Sequence, residues 1–197
     1  MEKMGKKGSV SRLSLAIFMI LAATGLVVSE IPDSLLGPIA TAMGVQNDER
    51  DTKMYFAYGS NMDTSQMGER CLTASLQGLA RLQGFKFVIN GRGVASIVES
   101  PNDAVEGVLW EISSYDERAL DWYEGVAGGY YTKNTFLVED RASGDMVEAL
   151  VYIGTDTDLG EARPGYLERI IEAAQYHKLS TICLEELVTW KCRLGSP

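Results

Sequence analysis

Residues 55–61, Tyr-Phe-Ala-Tyr-Gly-Ser-Asn, form the first segment whose residue types suggest chemistry. An apolar, aromatic stretch runs into a glycine and two polar residues, just before a predicted helix start. Gly59 would let a ligand approach the backbone closely, and successive N–H groups in such a turn can form an anion-binding nest. A substrate carboxylate or a developing oxyanion would fit there. A plain turn after a strand explains the same spacing, so the segment alone leaves both interpretations open.

The second candidate is Glu124, within the segment of residues 120–131. The pattern puts it at the end of a helix, where the helix dipole disfavours a negative charge. Its aromatic neighbours are Trp122, Tyr123, Tyr130 and Tyr131. Loss of water beside these rings would raise the pKa of the Glu124 carboxyl, which suits proton transfer near neutral pH. The alternative is a solvated glutamate at a helix end, and Asp121 is expected to be the more ordinary, solvated acid of the two.

Alternating or continuous apolar runs predict the strands that would position these residues. The predicted strands cover residues 54–58, 80–90, 94–98, 105–112, 131–139 and 146–153. Gly107 lies inside one of them and indicates a bulge or a close backbone approach.

Helix signals occur between these strands. Asp63 and Ser114 each begin a sequence typical of a capping box, and Gly125 is placed to end the second helix. Pro164 is predicted in the first turn of a later helix, and residues 184–188 indicate a final one. Strands and helices mostly in blocks predict an α+β fold, with enough strand for a small mixed β-barrel flanked by helices.

Taken together, the two candidate segments resemble the γ-glutamyl cyclotransferase family, in its Tyr-Gly-Ser-Asn branch. The resemblance runs from about Met54 to about Leu187 and includes, in family order, residues 55–61, 80–86, 95–97, 100–103, 105–110 and 120–126. It implies the γ-glutamyl cyclotransferase-like barrel fold. The stretch between Phe87 and Val94 is short compared with some relatives, so a loop near the pocket is expected to be trimmed.

The resemblance also implies roles for individual residues. Glu124 would be the acid/base residue. The segment that holds the γ-glutamyl part of the substrate would comprise Tyr55, Phe56, Ala57, Tyr58, Gly59 and Ser60, with Tyr166 opening a late helix at the pocket. Asn61 and Tyr131 are candidates for lining the same pocket.

The implied reaction is intramolecular aminolysis, which releases 5-oxoproline and a free amine from a γ-glutamyl amino acid, peptide or thiol conjugate. Two alternatives remain at this point. One is another specificity on the same scaffold, for γ-glutamylamines or secondary-metabolite conjugates. The other is a non-catalytic binding module with the same fold.

Composition limits the other function classes. The 197 residues carry a formal net charge of −9, which makes nucleic acid an unexpected partner. The three cysteines are widely spaced and His177 is the single histidine, so neither a metal site, a disulfide framework nor a histidine-dependent triad is expected. No cofactor is expected, a small molecule is the expected partner, and the oligomeric state stays open.

The amino-terminal region has a different character. A basic stretch precedes the uncharged apolar run of residues 13–28, which is typical of a signal peptide or signal anchor over residues 1–29. Residues 30–53 are predicted to be a linker and residues 54–192 the cyclotransferase-like domain. If the leader is native, the protein is secreted or tethered to a membrane through residues 13–28. The alternative is a non-native extension with translation starting at Met54, which would leave the protein in the cytoplasm.

Overall fold

The computed structural model describes residues 52–193. Its five strands are β1 (Thr52–Ala57), β2 (Ser75–Ile89), β3 (Ala95–Ser113), β4 (Tyr131–Asp140) and β5 (Met146–Gly154). The four α-helices of this part of the chain are α1 (Thr64–Arg70), α2 (Ser114–Glu124), α3 (Tyr166–Tyr176) and α4 (Thr181–Arg193). Single turns of 3₁₀ helix occur at Ser60–Met62 and Val126–Gly128.

The five strands form a closed barrel in the order β1-β3-β2-β4-β5. Neighbouring strands are antiparallel except at the closure, where β1 and β5 run parallel and pair Met54 with Ala149. Because closure leaves no long unpaired edge, the short β1 is hydrogen-bonded on both sides. The predicted α+β fold with a small mixed β-barrel flanked by helices is confirmed.

One hydrophobic core joins the strands to helix α3. Phe56 and Val138 on the strands, and Leu167 and Ile170 on the helix, are fully buried in the same cluster. Burying each side chain of this size contributes roughly 1.5–3 kcal/mol. This packing fixes α3 against the barrel and thereby sets the position of Tyr166, its first residue.

Strand β3 differs from the prediction, which divided it into separate strands at residues 94–98 and 105–112. The structure has one long strand that pairs with β2 along both parts. Its register passes from Glu99 opposite Phe85 to Ala104 opposite Gln83. Residues 100–103 therefore bulge, and they include Pro101, which lacks the N–H that a ladder position would need.

The close approach expected at Gly107 is confirmed. A Cβ atom there would lie 2.2 Å from the carbonyl oxygen of Ala57 and 3.0 Å from Cε2 of Phe56. Any larger residue would therefore push β1 away from β3.

The helix starts were predicted with mixed success. Asp63 caps α1 by accepting a hydrogen bond from the Gln66 N–H at 2.8 Å. The capping box of α2 uses Ser113 and Asp116, so the predicted cap at Ser114 was wrong by one residue. Pro164 precedes α3 instead of lying in its first turn, because the N-cap is Gly165 at φ 74°.

The amino-terminal predictions fall mostly outside this structure. The predicted leader over residues 1–29 and nearly all of the predicted linker lie outside the described residues. Strand β1 begins at Thr52, two residues before the predicted start at Met54. Between Thr52 and Arg193, no helix is both long and apolar enough to cross a membrane.

Candidate active site

A cavity of about 490 Å³ brings together residues from six separate parts of the chain. The contributing segments are the end of β1 with its 3₁₀ turn, helix α1, and the β2–β3 turn with the start of β3. The others are the end of α2 through the start of β4, strand β5 at Tyr152, and the loop before α3 with the start of that helix. Of the predicted site residues, those that line the cavity are Tyr55, Tyr58, Gly59, Ser60, Asn61, Glu124, Tyr131 and Tyr166.

Phe56 and Ala57 are the two predicted binding residues that do not line this cavity. Both are fully buried in the barrel core, where they lie against Gly107 of β3. The pairing of β1 with β3 makes these two residues packing positions, and their part in binding stays a prediction.

Glu124 is the last residue of α2 and is followed by Gly125 in the left-handed conformation at φ 66°. Its side chain is only 16% exposed, and Oε1 accepts a hydrogen bond from Asn61 Nδ2 at 3.0 Å. Burial raises the pKa of the Glu124 carboxyl, while the Arg70 charge and the Asn61 hydrogen bond oppose that rise. The predicted direction of the pKa shift is therefore confirmed.

The aromatic surroundings of Glu124 are only partly as predicted. Tyr131 is buried and lines the cavity, and Tyr123 and Tyr130 line it with about half of each side chain exposed. Trp122 is 76% exposed and is not among the lining residues. The helical spacing explains this, since residues adjacent in an α-helix point in different directions.

Asn61 links Glu124 to the rest of the site. The same Nδ2 atom that contacts Glu124 also donates to the Tyr55 hydroxyl at 2.8 Å. Its Oδ1 accepts hydrogen bonds from Arg70 Nη1 at 2.7 Å and from Gln66 Nε2 at 3.0 Å. Its backbone oxygen accepts from Trp110 Nε1 at 3.1 Å. The amide is thus fixed from several sides and can orient the carboxylate.

Three tyrosine hydroxyls in the site are held by backbone groups. Tyr58 donates to the Tyr152 carbonyl at 2.6 Å, and Tyr131 donates to the Ala95 carbonyl at 2.6 Å. The Tyr166 hydroxyl accepts from the Ala95 N–H at 3.2 Å. The rings of Tyr58 and Tyr131 therefore shape the cavity, while their O–H protons are already in use.

Four arginines that the sequence reasoning did not select also line the cavity: Arg70, Arg92, Arg163 and Arg169. Arg70 Nη1 lies 3.7 Å from Glu124 Oε1, and Arg169 Nη1 donates to Gln66 Oε1 at 3.0 Å. A local signal existed for two of them. Arg92 stands between two glycines, and Arg163 precedes Pro164-Gly165, as is typical of residues in exposed turns.

The arrangement is suited to proton transfer beside an anionic ligand. A buried carboxyl with a raised pKa can accept and return a proton near neutral pH. Arginines on the same cavity wall can bind carboxylates. Among residues 52–193 there is no group of three or more His, Cys, Asp or Glu side chains that could hold a metal ion.

The fold and this site together define a barrel protein with one mostly buried carboxyl in a cavity lined by arginines. A family model described as the AIG2-like family matches residues 104–187. The γ-glutamylcyclotransferase of the mouse, Mus musculus, is 31% identical over 154 residues, which cover 73% of this chain and 81% of the mouse protein. That of cattle, Bos taurus, is 35% identical over 145 residues, covering 68% and 77% of the two chains.

A solved structure of a γ-glutamyl cyclotransferase agrees with this result. It has a TM-score of 0.65 and 30% sequence identity, over 70% of this chain and 86% of the other. The chain belongs to the γ-glutamylcyclotransferase family, and the resemblance drawn from the sequence is confirmed.

Proposed function

We propose that this protein converts γ-glutamyl compounds into 5-oxoproline and a free amine, with Glu124 as the acid/base residue. The observation that carries the proposal is the Glu124 carboxyl. It lies in a cavity of adequate size, is mostly buried, and accepts a hydrogen bond from a fixed amide.

In the proposed reaction the α-amine of the γ-glutamyl group attacks its own γ-carbonyl carbon in the uncharged form. Glu124 accepts the proton that the attacking nitrogen loses as the new C–N bond forms. It then gives that proton to the departing nitrogen as the original amide C–N bond breaks. No water is consumed, so the products are the cyclic lactam and the free amine.

The rest of the cavity would orient the substrate for this attack. Gly59 and Ser60 line the cavity, and their backbone N–H groups are the candidates for binding the developing oxyanion. Tyr58 contributes its ring, because its hydroxyl proton is already donated to the Tyr152 carbonyl. Nucleophile and electrophile belong to one molecule, so correct folding of the substrate can supply much of the rate enhancement.

The surroundings of Glu124 favour this proposal over a binding module without turnover. A fully ionised carboxylate would be enough to bind the α-ammonium of a γ-glutamyl compound, whereas the raised pKa of Glu124 suits an acid that also exchanges a proton. A desolvated carboxyl lowers the stability of the fold, so its presence in the cavity is expected to serve a purpose other than stability. Catalysis supplies that purpose.

The test is to incubate the full chain with a panel of γ-glutamyl dipeptides and to quantify 5-oxoproline, glutamate and the free amino acid. We expect equal amounts of 5-oxoproline and free amino acid, at a rate well above the uncatalysed one. Release of glutamate would indicate hydrolysis and contradict intramolecular aminolysis. If no γ-glutamyl compound is consumed, the proposed function is wrong.

A further inference from the structure

Two of the cavity arginines lie on a rim that is built from distant parts of the chain. Arg92 belongs to the turn between β2 and β3, and Arg163 belongs to the loop before α3. The Arg163 N–H donates to the Gly93 carbonyl at 3.0 Å, and Arg163 Nε donates to the Arg92 carbonyl at 2.9 Å. The contact is close, since a Cβ on Gly93 would lie 2.7 Å from the Glu161 carbonyl oxygen. The backbone of both arginines is therefore held in place.

The charges of these two arginines are not neutralised within the described part of the chain. Neither of them forms an ion pair with any acidic side chain of residues 52–193. The Arg92 guanidinium lies over the Tyr130 ring, 3.8 Å from its centroid, and its Nη1 is buried without a hydrogen-bond partner there. The Arg92 guanidinium thus has an unsatisfied donor as well as an unpaired charge, and an anionic ligand in the cavity would offset the cost of that charge.

The rim lies in the same cavity as the acid/base residue, yet apart from it. Arg70 is the cavity arginine that approaches Glu124 to 3.7 Å. Arg92 and Arg163 instead affect the pKa of Tyr131. Burial, Tyr166 and Glu124 raise the pKa of Tyr131, whereas Arg92 and Arg163 lower it. The pKa of Tyr131 therefore responds to the acid and to the two cations, whereas Arg70 is the arginine that affects the pKa of Glu124.

This inference rests on the proposed function. We propose that Arg92 and Arg163 form a subsite for the carboxylate on the departing part of the substrate. The protein would thus favour γ-glutamyl amino acids and peptides with a free carboxylate over uncharged γ-glutamylamines. A γ-glutamyl amino acid carries one carboxylate on each side of the amide that breaks, and the cavity offers cations in two places. Arginine suits this purpose because its planar guanidinium can form two parallel hydrogen bonds to a carboxylate.

The experiment compares γ-glutamyl-alanine with γ-glutamyl-alaninamide, which differ by one charge on the departing side. The rate of 5-oxoproline formation by the full chain gives kcat/KM for each. We expect the acid to be favoured about 10- to 100-fold, as for a charge-assisted hydrogen bond to a partly buried cation. Added salt should raise KM for the acid and leave KM for the amide nearly constant.

The variants Arg92→Met and Arg163→Met should lower that preference to within about threefold, mainly by raising KM for the acid. Arg92→Lys retains a cation and should retain part of the preference. Arg118→Met is the matched control. Arg118 also stacks on a tyrosine, with its guanidinium carbon 4.5 Å from the centroid of Tyr115, but it does not line the cavity, so the wild-type preference should persist.

Several outcomes would overturn the subsite. Equal turnover of acid and amide by the wild-type protein would do so without any variant. So would an equal loss on both substrates in Arg92→Met, since that would assign the arginine to the glutamyl carboxylate or to packing. Melting temperatures identify any variant that does not fold. In that case, the turnover of the acid and the amide by the wild-type protein decides whether the subsite exists. If neither substrate yields 5-oxoproline with the wild-type protein, the proposed function itself fails.

Discussion

Helix α2 carries carboxylates in two different environments. Near its middle, Glu117 pairs with Lys53 Nζ at 2.6 Å and Lys133 Nζ at 2.9 Å, and Asp121 shares the same Lys133. At its end, Glu124 has a neutral amide as its direct partner and an arginine at 3.7 Å. Burial alone would raise the pKa of Glu117, but the hydrogen bonds from its two lysines outweigh burial and lower it. The pKa of Glu124 is raised.

The opposite pKa shifts of Glu117 and Glu124 come from whether a nearby cation donates a hydrogen bond directly to the carboxylate. Lys133 donates directly to both acids of the middle group. Arg70 Nη1 donates to Asn61 Oδ1 at 2.7 Å and lies 3.7 Å from Glu124 Oε1, too far for a hydrogen bond to the carboxylate. A carboxylate in contact with a cation holds its charge and is a weak base, whereas one kept at a distance stays able to exchange a proton. The same helix thus carries structural acids and a candidate catalytic acid.

The largest effect should come from Glu124→Gln, with Glu117→Gln as its matched control on the same helix. Loss of the acid/base residue should lower 5-oxoproline formation about 10²- to 10⁴-fold. Glu117→Gln should keep turnover near the wild-type rate. Full turnover by Glu124→Gln would mean that another residue carries the proton and that Glu124 and Glu117 do not differ in function.

A second substitution adds negative charge beside Glu124 and replaces Asn61 by a side chain of nearly the same size and shape. Asn61→Asp removes the amide donor and puts a second carboxylate beside Glu124, which raises the pKa of Glu124 further. We expect kcat/KM to fall roughly tenfold at neutral pH and the break in its pH profile to move to higher pH. Asn134→Asp, at an exposed site where the amide donates to Thr132, should leave the profile in place. An unmoved break in Asn61→Asp would contradict the role given to this amide.

The pH dependence of stability should also differ between variants at Glu124 and at Glu117. Because the pKa of Glu124 is raised in the folded state, ionisation destabilises the fold as pH rises from the unfolded pKa through the folded pKa. Glu124→Gln should therefore melt at a higher temperature than the wild type at neutral pH, and this gap should close below about pH 4, where the glutamate is protonated in both states. Glu117→Gln should instead lower the melting temperature at neutral pH, since the pKa of Glu117 is lowered. Melting curves across this range that fail to converge for Glu124→Gln would argue against its burial as the cause.

The smallest effect is expected from Lys133→Met, which removes the cation shared by Glu117 and Asp121. Partly exposed ion pairs contribute little, so the free energy of unfolding should fall by about 1 kcal/mol or less. Turnover should stay near the wild-type value, because none of these groups lines the cavity. Denaturant titration measures the first quantity and 5-oxoproline formation the second. A large loss of turnover would mean that the paired acids position the catalytic end of α2.

The sequence predicted those parts of the site that lie in continuous segments. Glu124 with Gly125, and the turn at Gly59-Ser60, are local patterns that the chain carries within a few residues. Asn61 was expected only to line the pocket, because nothing local indicates that its amide meets a carboxyl 63 residues later in the chain. Arg92 and Arg163 are 71 residues apart, and only the β2–β3 turn packed against the loop before α3 brings them together.

The prediction of the fold likewise succeeded for local patterns and failed where contacts with other segments decide the structure. The apolar, aromatic run that ends at Gly59 located β1, and β4 and β5 were also predicted to within one residue at each end. The prediction divided β3 at residues 99–104, where exposed polar residues and Pro101 resemble a loop, although pairing with β2 resumes on the far side of the bulge. The start of α2 was misplaced because Ser113 and Ser114 are equally good caps in sequence. The side chain that accepts the Asp116 N–H is that of Ser113.

The most direct test follows the Glu124 carboxyl itself. In protein labelled with ¹³C at the glutamate carboxyl carbons, the signal missing from Glu124→Gln identifies this group, and its chemical shift can be followed with pH. We expect a midpoint above that of an ordinary glutamate, about 4.3, and coincident with the break in the pH profile of kcat/KM. A midpoint in the ordinary range, or a break in the profile at a different pH, would contradict Glu124 as the proton carrier.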